Sequence, residues 1–134
     1  ITMIKKESVK GYPDLKIDIY EISKDLTKLD KWFNDCLNNI KWHEGYIKIF
    51  GKEHKIPRLQ AWYADKNINY TYSGKQLIRN DWNSVLSEIK TDIELITSNT
   101  FNSVLGNLYS KEIFFLNIKV KTSNFRYHKK MENL

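Results

Sequence analysis

Apolar residues recur at helical spacing in only two windows of this chain and alternate through most of the rest, which fixes what it can fold into. The first window holds Leu26, Leu29, Phe33, Cys36, Leu37 and Ile40. The second holds Trp82, Val85, Leu86, Ile89, Ile93 and Ile96. Steps of three and four residues place each set on one stripe of a helix. Elsewhere Tyr46-Ile47-Lys48-Ile49-Phe50 alternates, as do Leu116, Ile118 and Val120 with Asn117, Lys119 and Lys121. Period two sends successive side chains to opposite faces of a strand. A one-sided helix needs a flat apolar partner, so the spacing predicts an α+β domain, its helices packed on one side of a mostly antiparallel sheet.

Local signals punctuate this pattern. Tyr12-Pro13-Asp14 reads as a turn before a short alternating stretch, Leu15 to Tyr20. Ser23 is the expected N-cap of the first helix, and Asn80 or Asp81 that of the second. Gly51-Lys52-Glu53-His54 reads as the turn of a hairpin that returns through Arg58 to Tyr63, and Asp65-Lys66-Asn67 as the next turn. Ser98-Asn99 ends the second helix, and Thr100 to Tyr109 follows as a buried strand. The tail strand is expected to pair with Asn124 to Tyr127.

A length of 134 residues suits one domain with a real core. No apolar run approaches the roughly 20 residues of a membrane span. Ile1 to Lys10 carries lysines without an apolar h-region, so no secretory signal is read there. Cys36 is the single cysteine, which excludes an internal disulfide, suits an intracellular reducing compartment and fits a small apolar position on a helix. Net charge is +6, and residues 110–134 hold six Lys/Arg against Glu112 and Glu132. A basic balance favours polyanionic partners without specifying one.

Three runs carry a resemblance: Pro57-Arg58-Leu59-Gln60-Ala61-Trp62-Tyr63, Tyr70-Thr71-Tyr72-Ser73-Gly74, and Phe101-Asn102-Ser103-Val104-Leu105-Gly106-Asn107-Leu108-Tyr109. In this order they resemble the N-terminal half of the AlkB family, iron(II)/2-oxoglutarate dioxygenases that remove alkyl groups from nucleic-acid bases. The resemblance covers about residues 11–109. It implies a nucleotide-recognition lid followed by the first part of a double-stranded β-helix, or jelly roll. It also implies oxidative dealkylation of DNA or RNA bases, with DNA or RNA as partner.

The family's site residues carry over position by position. Asn107 and Tyr109 match the pair that hydrogen-bonds 2-oxoglutarate, and their spacing puts both on one face of a strand. Tyr70, Tyr72 and Ser73 match the lid strand, whose aromatic rings stack on an extruded base; an enzyme working on a base edge must take that base out of the duplex. Cross-strand aromatic packing is the competing reading of that pair. Ile49-Phe50-Gly51-Lys52 resembles a hairpin finger pushed into the base stack, with Phe50 as apolar wedge and Arg58 near the phosphates or the opposite strand. The competing reading of Phe50 turns its ring into the core. Trp32 and Trp82 read as core, while Trp62 is a candidate for lining the substrate pocket.

The family's His-x-Asp iron motif is missing after Tyr109, where Ser110-Lys111-Glu112-Ile113-Phe114-Phe115 follows. Iron(II) in such enzymes needs two histidines and a carboxylate on one face. His43, His54 and His128 begin no such motif. The chain therefore reads as a single, truncated AlkB-like domain: residues 11–109 as lid and first half of the jelly roll, residues 110–134 as a divergent basic tail. That tail is either a basic strand joined after loss of the iron loop or unrelated sequence after a frameshift. Taken literally, such a chain is expected not to turn over. A non-catalytic nucleic-acid-binding module and a decayed fragment are the other readings. Half a jelly roll would also leave sheet edges open to self-association.

Overall fold

The structure is a computed structural model that describes residues 2–10, 16–23, 26–72, 75–110, 113–119 and 124–130. Its elements are β1 (Thr2–Lys10), β2 (Lys16–Ser23), α1 (Leu26–Asn39), β3 (His43–Ile49), β4 (Lys52–Ala64), β5 (Thr71–Tyr72), β6 (Lys75–Gln76), β7 (Arg79–Asn80), α2 (Ser84–Thr97), β8 (Ser103–Ser110), β9 (Ile113–Lys119) and β10 (Asn124–Lys130). Among the described residues the main sheet runs β10-β9-β8-β4-β3, with β7 added to β4. All its pairings are antiparallel except β4 with β7. The architecture is α+β. β1 with β2, and β5 with β6, form two further antiparallel ladders.

Register decides which sheet face each side chain takes. Ala61 pairs Gly106, and Tyr63 pairs Val104. Directly opposed residues share a face, so Ala61, Tyr63, Gly106 and Val104 lie on one side. That side carries the core: Ala61, Tyr63 and Val104 pack with Leu29, Trp32, Phe33 and Cys36 of α1 and with Val85, Leu86, Ile89 and Ile93 of α2. Burying one large aliphatic or aromatic side chain contributes about 1.5–3 kcal/mol, so these two stripes hold both helices to the sheet. At Gly106 the close approach leaves no room for a side chain: a Cβ there would lie 2.9 Å from Cη2 of Trp42. The Tyr63 hydroxyl accepts from the Lys41 amide at 2.9 Å, satisfying the chain as it leaves α1.

Several local expectations need correction. Ser23 closes β2 and is not the cap of α1, whose first residue is Leu26. The second helix is capped by Asn83, whose side chain accepts from the Leu86 amide at 2.9 Å, because Arg79–Asn80 is already committed to a ladder with Trp62 and Tyr63. Trp82 thus precedes α2 instead of opening its stripe. It packs at the edge of the core, and its indole donates to Asp65 Oδ1 at 2.8 Å. The hairpin turn is Phe50-Gly51, tighter than the four-residue turn expected, since Ile49 already pairs Lys52. The turn at Asp65-Lys66-Asn67 is present, with Asn67 at φ 67. Ser98 ends α2 in the left-handed region, as the Ser98-Asn99 signal implied. The tail pairing runs from Asn124 opposite Lys119 to Tyr127 opposite Leu116, in line with the pattern of alternation.

Candidate functional site

The sheet's other face, away from the helices, carries Gln60 opposite Asn107 and Trp62 opposite Leu105. Gln60 and Asn107 are both buried. A buried polar pair on an otherwise apolar sheet has to be hydrogen-bonded, and this one is. Asn107 Oδ1 accepts from Gln60 Nε2 at 3.0 Å and from Arg58 Nε at 2.9 Å. A guanidinium only donates, so the Asn107 atom facing it must be the oxygen. This fixes the Asn107 amide and leaves its NH2 group as a donor for something else. It also fixes Gln60, whose amide nitrogen faces Asn107 and whose oxygen turns toward Gly45. A Cβ on Gly45 would lie 2.6 Å from that oxygen and 2.5 Å from Cδ1 of Ile56.

Tyr109 stands half exposed beyond Asn107, with its ring centroid 5.8 Å from the Arg58 guanidinium carbon. Two irregularities meet here. Glu44 pairs Leu59 and Tyr46 pairs Lys55, so Ile56-Pro57-Arg58 bulge opposite Gly45. Pro57 has no amide hydrogen for the ladder, so it suits the bulge. The β8–β9 register also shifts between Leu108 and Ser110. Where these strands part, a cavity of about 330 Å³ opens, lined by Lys55, Ile56, Pro57, Arg58, Leu59, Leu108 and Tyr109.

Beyond this point β4 loses one neighbour. β8 pairs it only from Leu59 onward, so Lys52 to Arg58 are held by β3 alone and project as a two-stranded arm. Its tip is Phe50-Gly51, at φ 48 and 77. Positive φ at both central residues gives the turn whose twist matches a hairpin, a position that ordinarily selects Asn-Gly. Phe50 is 102 % exposed, which excludes the reading that places its ring in the core. Along the arm, Lys55 pairs Glu44, and the Tyr46 hydroxyl donates to Glu44 at 2.8 Å. The Lys55 hydrogen bond, with help from Tyr46, holds the Glu44 carboxyl below its ordinary range.

The β5–β6 hairpin is moored at two places. Tyr70, just before β5, lies against Trp62 with ring centroids 5.9 Å apart and planes tilted 38°. Lys75 reaches the arm, bonding Glu53 at 2.5 Å and sitting 5.3 Å over the Tyr46 ring. The structure therefore brings Tyr70, Trp62, Arg58, Asn107 and Tyr109 onto one part of the sheet, with Phe50 at the end of the arm. The Tyr72 side chain and Ser73 lie outside the described residues.

Iron is a different matter. His43 sits half buried opposite Gln60, and exposed His54 pairs Ile47 across the arm. The side chain of His128 lies outside the described residues. Among the described residues no three of His, Cys, Asp and Glu come together as metal donors. Those residues do not fit an iron centre. No helix among them is long and apolar enough to cross a membrane.

Sequence reasoning missed the Gln60 bridge and the Lys75 mooring. Gln60 was visible as a polar residue within the otherwise apolar end of its strand, from Leu59 to Ala64, which signals a buried partner. Lys75 carried no such signal, because its partners lie 22 and 29 residues upstream, at Glu53 and Tyr46.

No protein-family model matches the chain. It is 36% identical over 94 residues to human DNA oxidative demethylase ALKBH2, covering 70% of this chain and 33% of that protein. The bovine ALKBH2 protein is also 36% identical over 94 residues, covering 70% and 31%. Human alpha-ketoglutarate-dependent dioxygenase alkB homolog 3 is 47% identical over 98 residues, covering 72% and 34%. The chain spans about a third of the length of the curated relatives it matches. With relatives of this identity over about 70% of its length, the chain belongs to the AlkB family.

Proposed function

We propose that this chain is the nucleic-acid-engaging part of an AlkB-type oxidative dealkylase. The observation that carries this reading is Phe50: a large apolar ring, wholly exposed, held at φ 48 on the tip of a projecting arm. A left-handed aromatic costs stability and buries nothing here, so its value lies in what it meets outside the molecule. An apolar wedge at such a tip fills the gap left when a base is flipped out. Lys48, Lys52 and Lys55 on the same arm suit contact with phosphates.

In this reading Tyr70, with Tyr72 and Ser73, forms the lid over the extruded base, and Trp62 is the floor behind Tyr70. Arg58 anchors the base of the arm. Asn107 and Tyr109 offer an amide and a phenol as donors to 2-oxoglutarate, and the fixed orientation of the Asn107 amide supports that role. The open sheet is then the first part of a jelly roll, residues 11–109 its recognition half and residues 110–134 a divergent basic tail. Residues 1–134 form one domain. The outer edge of β3 has no ladder partner among the described residues, which suits pairing with a second copy. Iron and 2-oxoglutarate supply the family's oxidising power. Dealkylation needs iron donors beyond those the described residues bring together, so this chain's own contribution is binding, positioning and base extrusion. DNA is favoured as substrate by the relatives that are DNA demethylases.

The test is a fluorescence-anisotropy titration with an N-methylated oligonucleotide. Binding should weaken steeply with salt. Phe50→Ala should weaken it by about 1–3 kcal/mol, the worth of one stacked aromatic. Salt-independent binding, or an unchanged Kd in Phe50→Ala, would remove the reading.

A further inference from the structure

We infer that Lys75 is a positioning residue that latches the β5–β6 hairpin to the arm, so that the lid and the Phe50 wedge meet a base as one clamp. This rests on the base-extrusion reading of the arm and adds a residue to it. Three features support it.

First, the arm needs a brace. Among the described residues Lys52 to Arg58 lack the β8 pairing that holds the same strand from Leu59 onward. The register shift between Glu44 and Tyr46 marks the root at which such a ribbon bends. A two-stranded ribbon is marginal by itself in water. A wedge at its tip keeps a fixed place when a contact from outside the ribbon holds it.

Second, the hairpin supplies that contact. Its base is closed by the Leu77 amide, which donates to the Tyr70 carbonyl at 2.9 Å, and Tyr70 is tied to the sheet through Trp62. From β6, Lys75 bonds Glu53 at 2.5 Å and lies 5.3 Å over the Tyr46 ring. Tyr46 belongs to β3 and Glu53 to β4, and one ammonium thus touches both strands of the arm. Register explains how. Tyr46 pairs Lys55 and Lys48 pairs Glu53, so Tyr46 and Glu53 share a face.

Third, the contact is relayed along the arm. The Tyr46 hydroxyl donates to Glu44 at the root, and Lys55 pairs with the same carboxylate. At the other end Glu53 lies opposite Lys48, near the tip. Each link is a surface contact and weak alone, but groups that share partners in one network act together.

A phosphate contact is the competing role for Lys75, and Glu53 separates the two. Its carboxylate repels a phosphate, so neutralising it strengthens binding by a phosphate-contacting lysine and disables a latching one. The experiment compares the full chain with Glu53→Gln, Lys75→Ala, Lys75→Arg and the Glu53→Gln/Lys75→Ala pair. Extrusion is read as 2-aminopurine emission beside a methylated base at saturation, and affinity by anisotropy. Lys75→Ala and Glu53→Gln should each lower the ratio of extruded to stacked base about threefold, and the double variant should be no worse than Lys75→Ala. Lys75→Arg keeps the charge and the ring contact and should extrude within about twofold of the unaltered chain. In the free chain, Glu53→Gln should speed hydrogen exchange at the Leu77 amide, although the altered residue lies on the arm. That readout needs no nucleic acid. The inference fails if Glu53→Gln raises affinity and leaves extrusion unchanged, if the two losses add, or if Leu77 exchange ignores Glu53. The last result removes the latch and leaves the extrusion reading standing. A chain that shows the Leu77 response yet extrudes no base removes the clamp together with that reading.

Discussion

Replacing Phe50 by asparagine should make the protein more stable and worse at its task. Phe50 sits at φ 48 and Gly51 at φ 77, so the turn demands two left-handed residues and has glycine at only one. A left-handed conformation costs an ordinary L residue about 1–2 kcal/mol, and asparagine much less of it. The ring is fully exposed, so its removal forfeits no burial. The net expectation for Phe50→Asn is a gain of about 0.5–1 kcal/mol, or roughly 2–4 °C in Tm for a domain of this size. The gain resides in the arm, so hydrogen exchange of β3 and β4 amides is the sharper assay, with urea unfolding as companion. Exchange should slow along Tyr46–Ile49 and Lys52–Lys55, while oligonucleotide affinity falls about as far as in Phe50→Ala. A loss of stability beyond about 0.5 kcal/mol would mean that the ring supports the fold, which would refute the reasoning.

Other outcomes follow from single contacts. Gly45→Ala should cost about 1–3 kcal/mol, because the new methyl group meets buried Ile56 and the Gln60 oxygen; Ile56→Val in the same chain should recover part, and equal stability of both variants in urea would contradict the clash. Cys36 is pushed up to about 12, mainly by burial, so a disulfide reagent at pH 8 should label it only at the rate of unfolding; rapid native labelling would contradict its place in the core. The Glu53 carboxyl is held below its ordinary value of 4.5 by the Lys75 hydrogen bond. A depressed carboxyl stabilises fully above that ordinary value and loses its contribution as pH falls through the folded one. Exchange protection at β6 should therefore drop as pH falls below 4.5, and Lys75→Ala should abolish that dependence.

The α+β class was legible because the helical stripes are uninterrupted: Leu29, Phe33, Cys36, Leu86, Ile89 and Ile93 all sit in the core their spacing predicts. The boundaries were less legible. Ser23 and Asn80 are good capping residues by type, but ladders had already claimed both, and a ladder hydrogen bond is not a local property. The two-residue turn was hidden because phenylalanine is a poor residue for left-handed backbone. A rule broken at a position that gains nothing in packing marks function over folding. Within the candidate site, the strand that carries Asn107 and Tyr109 was readable as a buried strand, and the family resemblance singled out that pair. The Arg58–Asn107–Gln60 bridge joins residues 47 and 49 apart in sequence, so only pairing register could reveal it.

The central claim is that the arm opens a base stack. It is tested most directly with 2-aminopurine placed next to a methylated base in a duplex, read by fluorescence as the chain is added. Extrusion unstacks the reporter, so its emission should rise to a plateau at the binding stoichiometry, and Phe50→Ala should bind more weakly with little rise even at saturation. A saturated complex in which 2-aminopurine stays quenched, or brightens equally with Phe50→Ala, would contradict the account.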